Sequence, residues 1–161
     1  MQNDRLRASV SAETLLARYA AGERDFRGAD LEGADLAGAD LSFASLRDTN
    51  LKRATLDGAN LEGASLAFAN LTSTSLKGTG LQDVNLVGAT LKGALLAGAD
   101  FAGASLEGAN LKNVALTEVR FAAAKPSIVQ LGGKVPGRGL IRSDDALRAS
   151  LGGGLDRPVP L

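Results

Sequence analysis

A large apolar residue at every fifth position, from Phe26 to Phe121, is the feature that most restricts the fold of this chain. The stretch GADLEGADLAGADL at 28–41 shows the pattern clearly. An α-helix turns about 100° per residue, so residues five apart form no apolar stripe. Side chains of a flat strand alternate with period two, so an odd spacing places successive leucines on opposite faces. The chain must therefore turn a corner once per repeat and keep each large side chain inside a coil.

Each position of the five-residue unit has its own chemistry. With the large apolar residue called i, the 20 units carry 17 leucines and 3 phenylalanines at i. Position i−2 is alanine in 13 units, i−1 is Asp or Asn in 10 and Ser or Thr in 6, and i+2 is glycine in 11. Alanine beside leucine fills a narrow core, short polar side chains bond turn backbone, and glycine suits corners with positive φ. The predicted core ladder includes Phe26, Leu31, Leu36, Leu41, Leu51, Leu71, Leu91, Phe101, Leu111 and Phe121.

The unbroken A(D/N)LxG units at 24–123 resemble the pentapeptide repeat family. The entry segment LLARYAAGERDFRGADL at 15–31 also resembles the lead-in of cyanobacterial members. The resemblance implies an all-β fold, a right-handed quadrilateral β-helix with four units per coil and about five coils. The handedness is implied by the resemblance and not by the spacing. With strands about 4.8 Å apart, the rod would be roughly 20–25 Å long.

A short capping helix is predicted before the repeats, in an N-terminal segment assigned to residues 1–23. The stretch SAETLLARYAAG at 11–22 has Ser11 as a plausible N-cap and Gly22 as a plausible C′ residue. Its Leu15, Leu16 and Tyr19 form an apolar edge that we expect to cover the open end of the core. The repeat β-helix is assigned to residues 24–123.

The segment 124–161 is predicted to be a C-terminal cap or an irregular, flexible tail. Its proline at 126 is expected to stop the repeat, and an apolar strand-like stretch follows at 128–131. A weakly capped helical segment is predicted from Ser143, with Leu147 and Leu151 on one side. The sequence leaves open whether this segment keeps the protein monomeric or whether the C-terminal coils form a homodimer.

Composition argues against catalysis and points to no nucleic acid or membrane partner. Lys plus Arg equals Asp plus Glu, 18 each, so the whole chain has no electrostatic bias. The chain has neither histidine nor cysteine, which removes the usual zinc ligands and the Cys- or His-based triads. We expect no cofactor and no metal. No apolar run approaches the roughly 20 residues of a membrane span, and the N-terminus lacks an apolar signal core, so we expect a cytoplasmic protein.

Two outward features are candidates for a partner surface. If residues one coil apart stack, the face centred on Leu31, Leu51, Leu71, Leu91 and Leu111 carries a modest basic stripe. The stripe consists of Lys52, Arg53, Lys92 and Lys112, with Arg47 on the preceding face. In the late coils, six outward positions carry apolar residues instead of polar ones: Leu95, Ala97, Ala102, Ala115, Ala122 and Ala123. These apolar positions have three interpretations: small residues are tolerated there, the C-terminal segment packs over them, or they form a patch for self-association or for a partner.

The sequence favours a non-enzymatic solenoid that presents a rigid surface to another protein. A second hypothesis follows from the resemblance, because some members mimic DNA and bind type II topoisomerases. DNA carries one charge per about 1.7 Å, whereas residues 24–123 have 9 basic and 12 acidic residues, so the charge argues against mimicry. A third hypothesis, a structural domain without a dedicated ligand, is not separable from the first by sequence.

Overall fold

The computed structural model describes residues 9–116, 118–124, 129–131 and 140–141. Helix α1 spans Ala12–Ala20, within the predicted stretch. The Ser11 side chain accepts a hydrogen bond from the backbone N–H of Thr14, and Gly22 has φ +99° just past the helix end, as expected of a C′ glycine. Leu15 is fully buried, while Leu16 and Tyr19 are half-buried against the core. The helix therefore directs one apolar edge onto the start of the coil.

The rest of the chain winds into a parallel ladder whose register repeats every fourth unit. Bridges at position i−1 join each unit to the unit one coil later, as in Asp30↔Asn50, Asn50↔Asn70 and Asn70↔Thr90. Each bridge is flanked by backbone hydrogen bonds in both directions, for example from Leu31 N–H to the Asn50 carbonyl at 2.7 Å. Four units therefore close one coil. We name the four faces after their first central residues: Phe26, Leu31, Leu36 and Leu41.

Every corner is a tight turn with the same backbone geometry. The N–H of residue i+3 bonds the carbonyl of residue i, as from Ala34 to Leu31 at 3.0 Å. Position i+2 has positive φ in all 20 units, and nine of those residues are not glycine. Positive φ at the second central residue alone is the signature of a type II turn. The expectation that these positions need positive φ is confirmed by the backbone angles.

The core consists of the predicted ladder of large apolar residues, and their side chains are buried along most of its length. Phe26, Phe101 and all the predicted leucines from Leu31 to Leu111 are at most 1% exposed. Alanines at i−2 are buried beside them, and the inward Thr49, Thr74 and Thr79 donate their hydroxyls to backbone carbonyls. Phe121 is half-buried against the core and stacks on Phe101 with ring centroids 5.3 Å apart. It lies one coil after Phe101, at the end of the part of the ladder that the structure describes at 9–116 and 118–124.

The C-terminal end of the Leu31 face differs from the expected stop at the proline. Strand β1 spans Asn110–Leu111, β2 spans Val129–Leu131 and β3 spans Leu140–Ile141. β2 pairs in parallel with β1, and Leu131 lies opposite Leu111, so the register of the ladder extends beyond the predicted boundary at 123. β3 then pairs antiparallel with β2, which places β2 in the middle of the sheet. The predicted helical segment from Ser143 and the C-terminal residues lie outside the described part of the chain.

One corner gives a sharp test of this stacking. Gly63 has φ +64°, and an alanine Cβ there would lie 2.5 Å from Phe43 Cε1 of the preceding coil. Gly58 has a similar φ of +66° with nothing within 4 Å of the added Cβ. We expect Gly58→Ala to cost roughly 1 kcal/mol from the left-handed backbone alone, and Gly63→Ala to cost more.

The extra cost at Gly63 is predicted to depend on Phe43. In urea unfolding, Phe43→Ala combined with Gly63→Ala should recover the difference between the two alanine variants, because the ring that blocks the Cβ is gone. Equal destabilisation of Gly58→Ala and Gly63→Ala would show that Phe43 does not lie on Gly63 in solution.

Candidate binding surface

The polar side chains on the middle of each face serve the backbone of their own turn. Asp30, Asp35 and Asp40 each accept a hydrogen bond through Oδ1 from the backbone N–H two residues later, at 3.0–3.2 Å. Asn50 and Asn70 lie one and two coils after Asp30, and each accepts the same type of hydrogen bond through its Oδ1. The carboxylates of the first coil are thus accounted for as turn acceptors, and they form no separate acidic site.

Hydrogen bonding lowers the pKa of several of these carboxyls. The pKa of Asp40 lies below its ordinary value because its carboxylate accepts the Ser42 N–H bond. The pKa of Asp25 is lowered by its bond from the Arg27 side chain, and that of Glu32 by its bond from the Arg53 side chain. A carboxyl with a lowered pKa in the folded state contributes stability above its unfolded pKa, and this stability is lost as pH falls through the folded pKa.

Asp40 provides the pH test of this pattern. We expect the thermal midpoint of the protein to fall by a few degrees as the pH drops below about 4, where the unfolded chain binds protons first. Asp40→Asn keeps the Oδ1 acceptor without a titrating proton, so its midpoint should fall less over the same range. Asp40→Ala lacks the acceptor and should be less stable than Asp40→Asn at pH 7. If the midpoints of Asp40→Asn and wild type fall equally with pH, the Asp40 carboxyl does not titrate with folding.

The predicted basic stripe is interrupted by ion pairs. The Arg53 guanidinium binds the Glu32 carboxylate one coil earlier, and Asn50 Nδ2 also donates to Glu32 at 3.3 Å. Arg47 lies 3.2 Å from the Asp48 carboxylate, with its guanidinium carbon 5.0 Å from the centroid of the Phe68 ring. Both arginines belong to the predicted partner surface, and both are engaged within the rod. The sequence did not show this because the pairing partner of Arg53 lies on the preceding coil, outside its own unit.

The lysines of the stripe fall into two separate groups. Lys52 is half-buried at the corner beside Arg53, whereas Lys92 and Lys112 are exposed on two successive coils. Thr72 and Ser73 occupy the intervening coil of the same corner. Among the described residues, no carboxylate lies within ion-pair distance of Lys92 or Lys112. The stripe therefore has two parts. In the early coils the charge of Arg53 is neutralised by Glu32, and in the late coils Lys92 and Lys112 form a positive pair.

The exposed aromatic residues are braced against the rod. Phe43 and Phe68 occupy i+2, where glycine is usual, and are 67% and 51% exposed. Their rings lie over Gly63 and Gly88 of the next coil, since a Cβ at either glycine would approach the ring within 2.6 Å. Phe68 also has Arg47 on its other side. The glycines one coil later make room for both rings, so Phe43 and Phe68 pack against the rod although they are exposed.

The apolar late positions are outward, as predicted. Leu95 is 51% exposed, and Ala97, Ala115, Ala122 and Ala123 are also exposed, with Ala102 half-buried. Within the part of the chain that the structure describes, no cluster of carboxylates is arranged to hold a metal ion, and α1 is too short to cross a bilayer.

This geometry defines a class: a solenoid whose coil is a four-sided parallel β-ladder with one small unit per side. The family model for pentapeptide repeats matches in eight copies, over residues 25–63, 49–86 and 85–122. The chain belongs to the pentapeptide repeat family, and its coil is a right-handed quadrilateral β-helix.

The chain is also similar to solved structures. Rfr23, a pentapeptide repeat protein from the cyanobacterium Cyanothece 51142, is 31% identical, with a TM-score of 0.55, over 68% of this chain and 90% of that one. The pentapeptide repeat protein alr5209 from Nostoc PCC 7120 is 28% identical over 87% of this chain and 93% of that one, with a TM-score of 0.40. QnrB1, a plasmid-mediated fluoroquinolone resistance protein, is 20% identical over 68% of each chain, with a TM-score of 0.24. No curated protein matches the chain.

Proposed function

We propose that this protein is a non-enzymatic scaffold that binds another protein through the outer surface of its coil. The observation that supports the proposal is that different positions within each unit have different roles. Positions i and i−2 fill the core, while many polar side chains at i−1 bond the turn of their own unit. The corner position i+1 varies most in size and charge, and i+2 varies where it is not glycine, so the corners distinguish one rod surface from another.

The proposal includes the finer architecture. We infer five coils at 24–123, with α1 as the N-terminal cap and residues 1–23 as the segment that carries it. Support comes from the bridge between Ser9 and Asp30 and from the bond of Val10 N–H to the Asp30 carbonyl at 3.0 Å, which add backbone to the first edge of the Leu31 face. The Tyr19 hydroxyl also donates to the Ser42 carbonyl at 2.9 Å. We propose a cytoplasmic location and either a monomer or a homodimer through the C-terminal coils.

Family membership supports the general part of this function. Pentapeptide repeat proteins are generally structural or interaction scaffolds. Their regular ladder holds backbone groups in hydrogen bonds along its length, so outer side chains are presented from a stiff base. A rigid surface loses little conformational entropy on binding, which favours recognition by shape and charge.

The experiment that tests the proposal compares outward corner positions on the different faces of the rod. A photo-reactive residue is placed in turn at outward corner positions of each face, such as Val87, Lys92 and Gln82, in the full-length protein. Specific cross-links to one protein from only one or two faces would support the scaffold function. The absence of any face-dependent cross-link, together with turnover of a substrate by the purified protein, would overturn it.

DNA mimicry is the alternative that a direct assay separates. The ion pairs of Arg53 with Glu32 and of Arg27 with Asp25 neutralise part of the limited acidic charge of the early coils. We therefore expect DNA supercoiling by a purified type II topoisomerase to be unchanged when the protein is added at a large excess. Inhibition of supercoiling, or protection from a quinolone, would favour the alternative.

A further inference from the structure

Two successive coils replace the usual polar side chain on the Leu36 face with an apolar one. Position i−1 is Asp, Asn, Ser or Thr in 16 of the 20 units. On this face the parallel bridges run Ser75↔Leu95 and Leu95↔Ala115, so the two exceptions are stacked directly on each other. Leu95 is 51% exposed, and Ala115 and the neighbouring Ala97 are exposed as well. The outer side of the ladder is thus locally apolar.

Lysines lie at both corners beside this apolar column. Lys92 is separated from Leu95 only by the turn that Ala94 N–H closes on the Leu91 carbonyl at 2.9 Å. Lys112 occupies the same corner one coil later, since Gly93 N–H bonds its carbonyl at 2.9 Å. Lys77 stands at the opposite corner, one coil before Ala97. All three lysines are exposed. We call this set the Leu95 surface: Leu95, Ala97 and Ala115, with Lys77, Lys92 and Lys112 at its rim.

The rim is positive within the described part of the chain. The four ion pairs found among those residues involve none of the three lysines. The later carboxylates of this face are Asp57 and Glu118. Asp57 Oδ1 accepts hydrogen bonds from Ser75 Oγ at 2.6 Å and from Lys77 N–H at 2.9 Å, so that group is already engaged. Glu118 is exposed at the last coil. Three lysines thus face two carboxylates, and one of these, Asp57, already accepts two hydrogen bonds within the rod.

We propose that the Leu95 surface binds an amphipathic helix of a partner protein that carries carboxylates beside an apolar row. This inference rests on the scaffold function proposed above and names the chemistry of the partner. The lysine and apolar columns both run along the rod, with a repeat of about 4.8 Å. Residues three or four apart on a helix are separated by about 4.5–6 Å along its axis, which matches this repeat. Alternate residues of a strand are about 6.6–6.8 Å apart and match it less well.

Complementary charge is the reason to choose an acidic partner. Carboxylates on the helix would meet Lys92 and Lys112, while its apolar row would cover Leu95 and Ala115. Burial of the Leu95 side chain supplies the apolar contribution to affinity, and the lysines fix the register and speed association. Because the rim lysines are exposed, binding should weaken with added salt.

The test selects ligands for the surface without assuming their sequence. A phage-displayed library of short helical peptides is panned on the full-length protein, with counter-selection on the variant that combines Lys92→Glu, Leu95→Ser and Lys112→Glu. We expect the enriched peptides to be acidic, with carboxylates and leucine or phenylalanine spaced three and four residues apart. Enrichment of basic or neutral peptides, or no enrichment over the counter-selected variant, overturns the proposal.

Matched variants then assign the bound site. For an enriched peptide measured by fluorescence anisotropy, we expect roughly tenfold weaker binding by the Lys92→Glu, Lys112→Glu variant and by Leu95→Ser. Lys52→Glu changes the same charge on the same column of corners, away from Leu95, and should leave affinity within about twofold. Circular dichroism and the thermal midpoint confirm that each variant folds. Equal loss of binding in Lys52→Glu would mean non-specific attraction and overturn the assignment.

Other occupants give different results. A dimer that dissociates in Leu95→Ser would assign the surface to a second copy. Peptide binding that appears only after removal of residues 142–161 would assign it to that segment of the chain. Either outcome overturns the proposal. Face-specific cross-links that map to the Phe26 or Leu41 face would overturn it and leave the scaffold function intact. The absence of all face-specific cross-links, together with turnover of a substrate, would overturn both.

Discussion

Leu71→Asp is expected to abolish the cooperative thermal transition of the rod. Leu71 is fully buried in the middle of the ladder, with Leu51 and Leu91 one coil away on either side. A carboxylate there would be surrounded by leucine and alanine side chains without a charged partner. The cost of burying such a group is several kcal/mol, which is comparable to the whole stability of a typical domain.

The control for this variant is the adjacent residue. Thr72→Asp adds the same charge one position along, at an outward corner between the levels of Lys52 and Lys92, and should shift the thermal midpoint by no more than a few degrees. Far-ultraviolet circular dichroism and differential scanning calorimetry on both variants provide the measurement. A Leu71→Asp protein that melts like wild type would mean that the five-residue period does not direct these leucines inward.

Leu15→Ala is expected to destabilise the N-terminal end of the rod by about 2–5 kcal/mol. Leu15 is fully buried although it lies on a nine-residue helix that precedes the repeats. Its removal would leave a cavity between α1 and the first coil. Because each coil of a solenoid contacts only its neighbours, we expect the damage to begin locally, at the coil that contains Phe26 and Leu31.

Hydrogen exchange resolves where the loss occurs. In Leu15→Ala, the amides of Phe26 and Leu31 should exchange faster, while those of Leu71 and Leu91 should change much less. Leu16→Ala is the matched control on the same helix, and it should cost less because Leu16 is only half-buried. Uniform acceleration along the ladder would show that the rod opens as one unit. Unchanged exchange at Phe26 would show that α1 does not protect the first coil.

The period of five was sufficient to predict the ladder. It placed the large residues inside, the small polar ones at turns, and positive φ at the glycine-rich position i+2. The structure shows positive φ at i+2 also where the residue is Phe43 or Arg53. These features follow from the local chemistry of one unit, and every further unit of the repeat leads to the same prediction. The positions that stack from one coil to the next followed from the family resemblance, which implies four units per coil, and not from the period itself.

The contacts that long side chains make with neighbouring coils could not be predicted in this way. Arg53 could extend into solvent or turn back to Glu32, and the backbone pattern is the same in both cases. The position of Arg47 over Phe68 likewise depends on rotamers. The extension of the ladder through β2 had a detectable signal, since Leu131 falls one full coil after Leu111, but the proline between them masks the unit.

The Leu95 surface shows how the two levels combine. The sequence identified lysines on one face and apolar residues in the late coils as separate features. The folded register places Lys92 and Leu95 on either side of one turn, and stacks Lys112 and Ala115 below them. A candidate site therefore emerged from two weak signals, because the corner brings neighbouring faces together.

The antiparallel strand β3 has a consequence for fibre growth. Parallel ladders with a bare last rung can template another chain indefinitely, as in amyloid. On the Leu31 face, β3 already occupies the edge of β2 and reverses the chain direction, so an incoming parallel rung has no matching edge there. Growth of the ladder by direct addition to β2 is therefore blocked on that side.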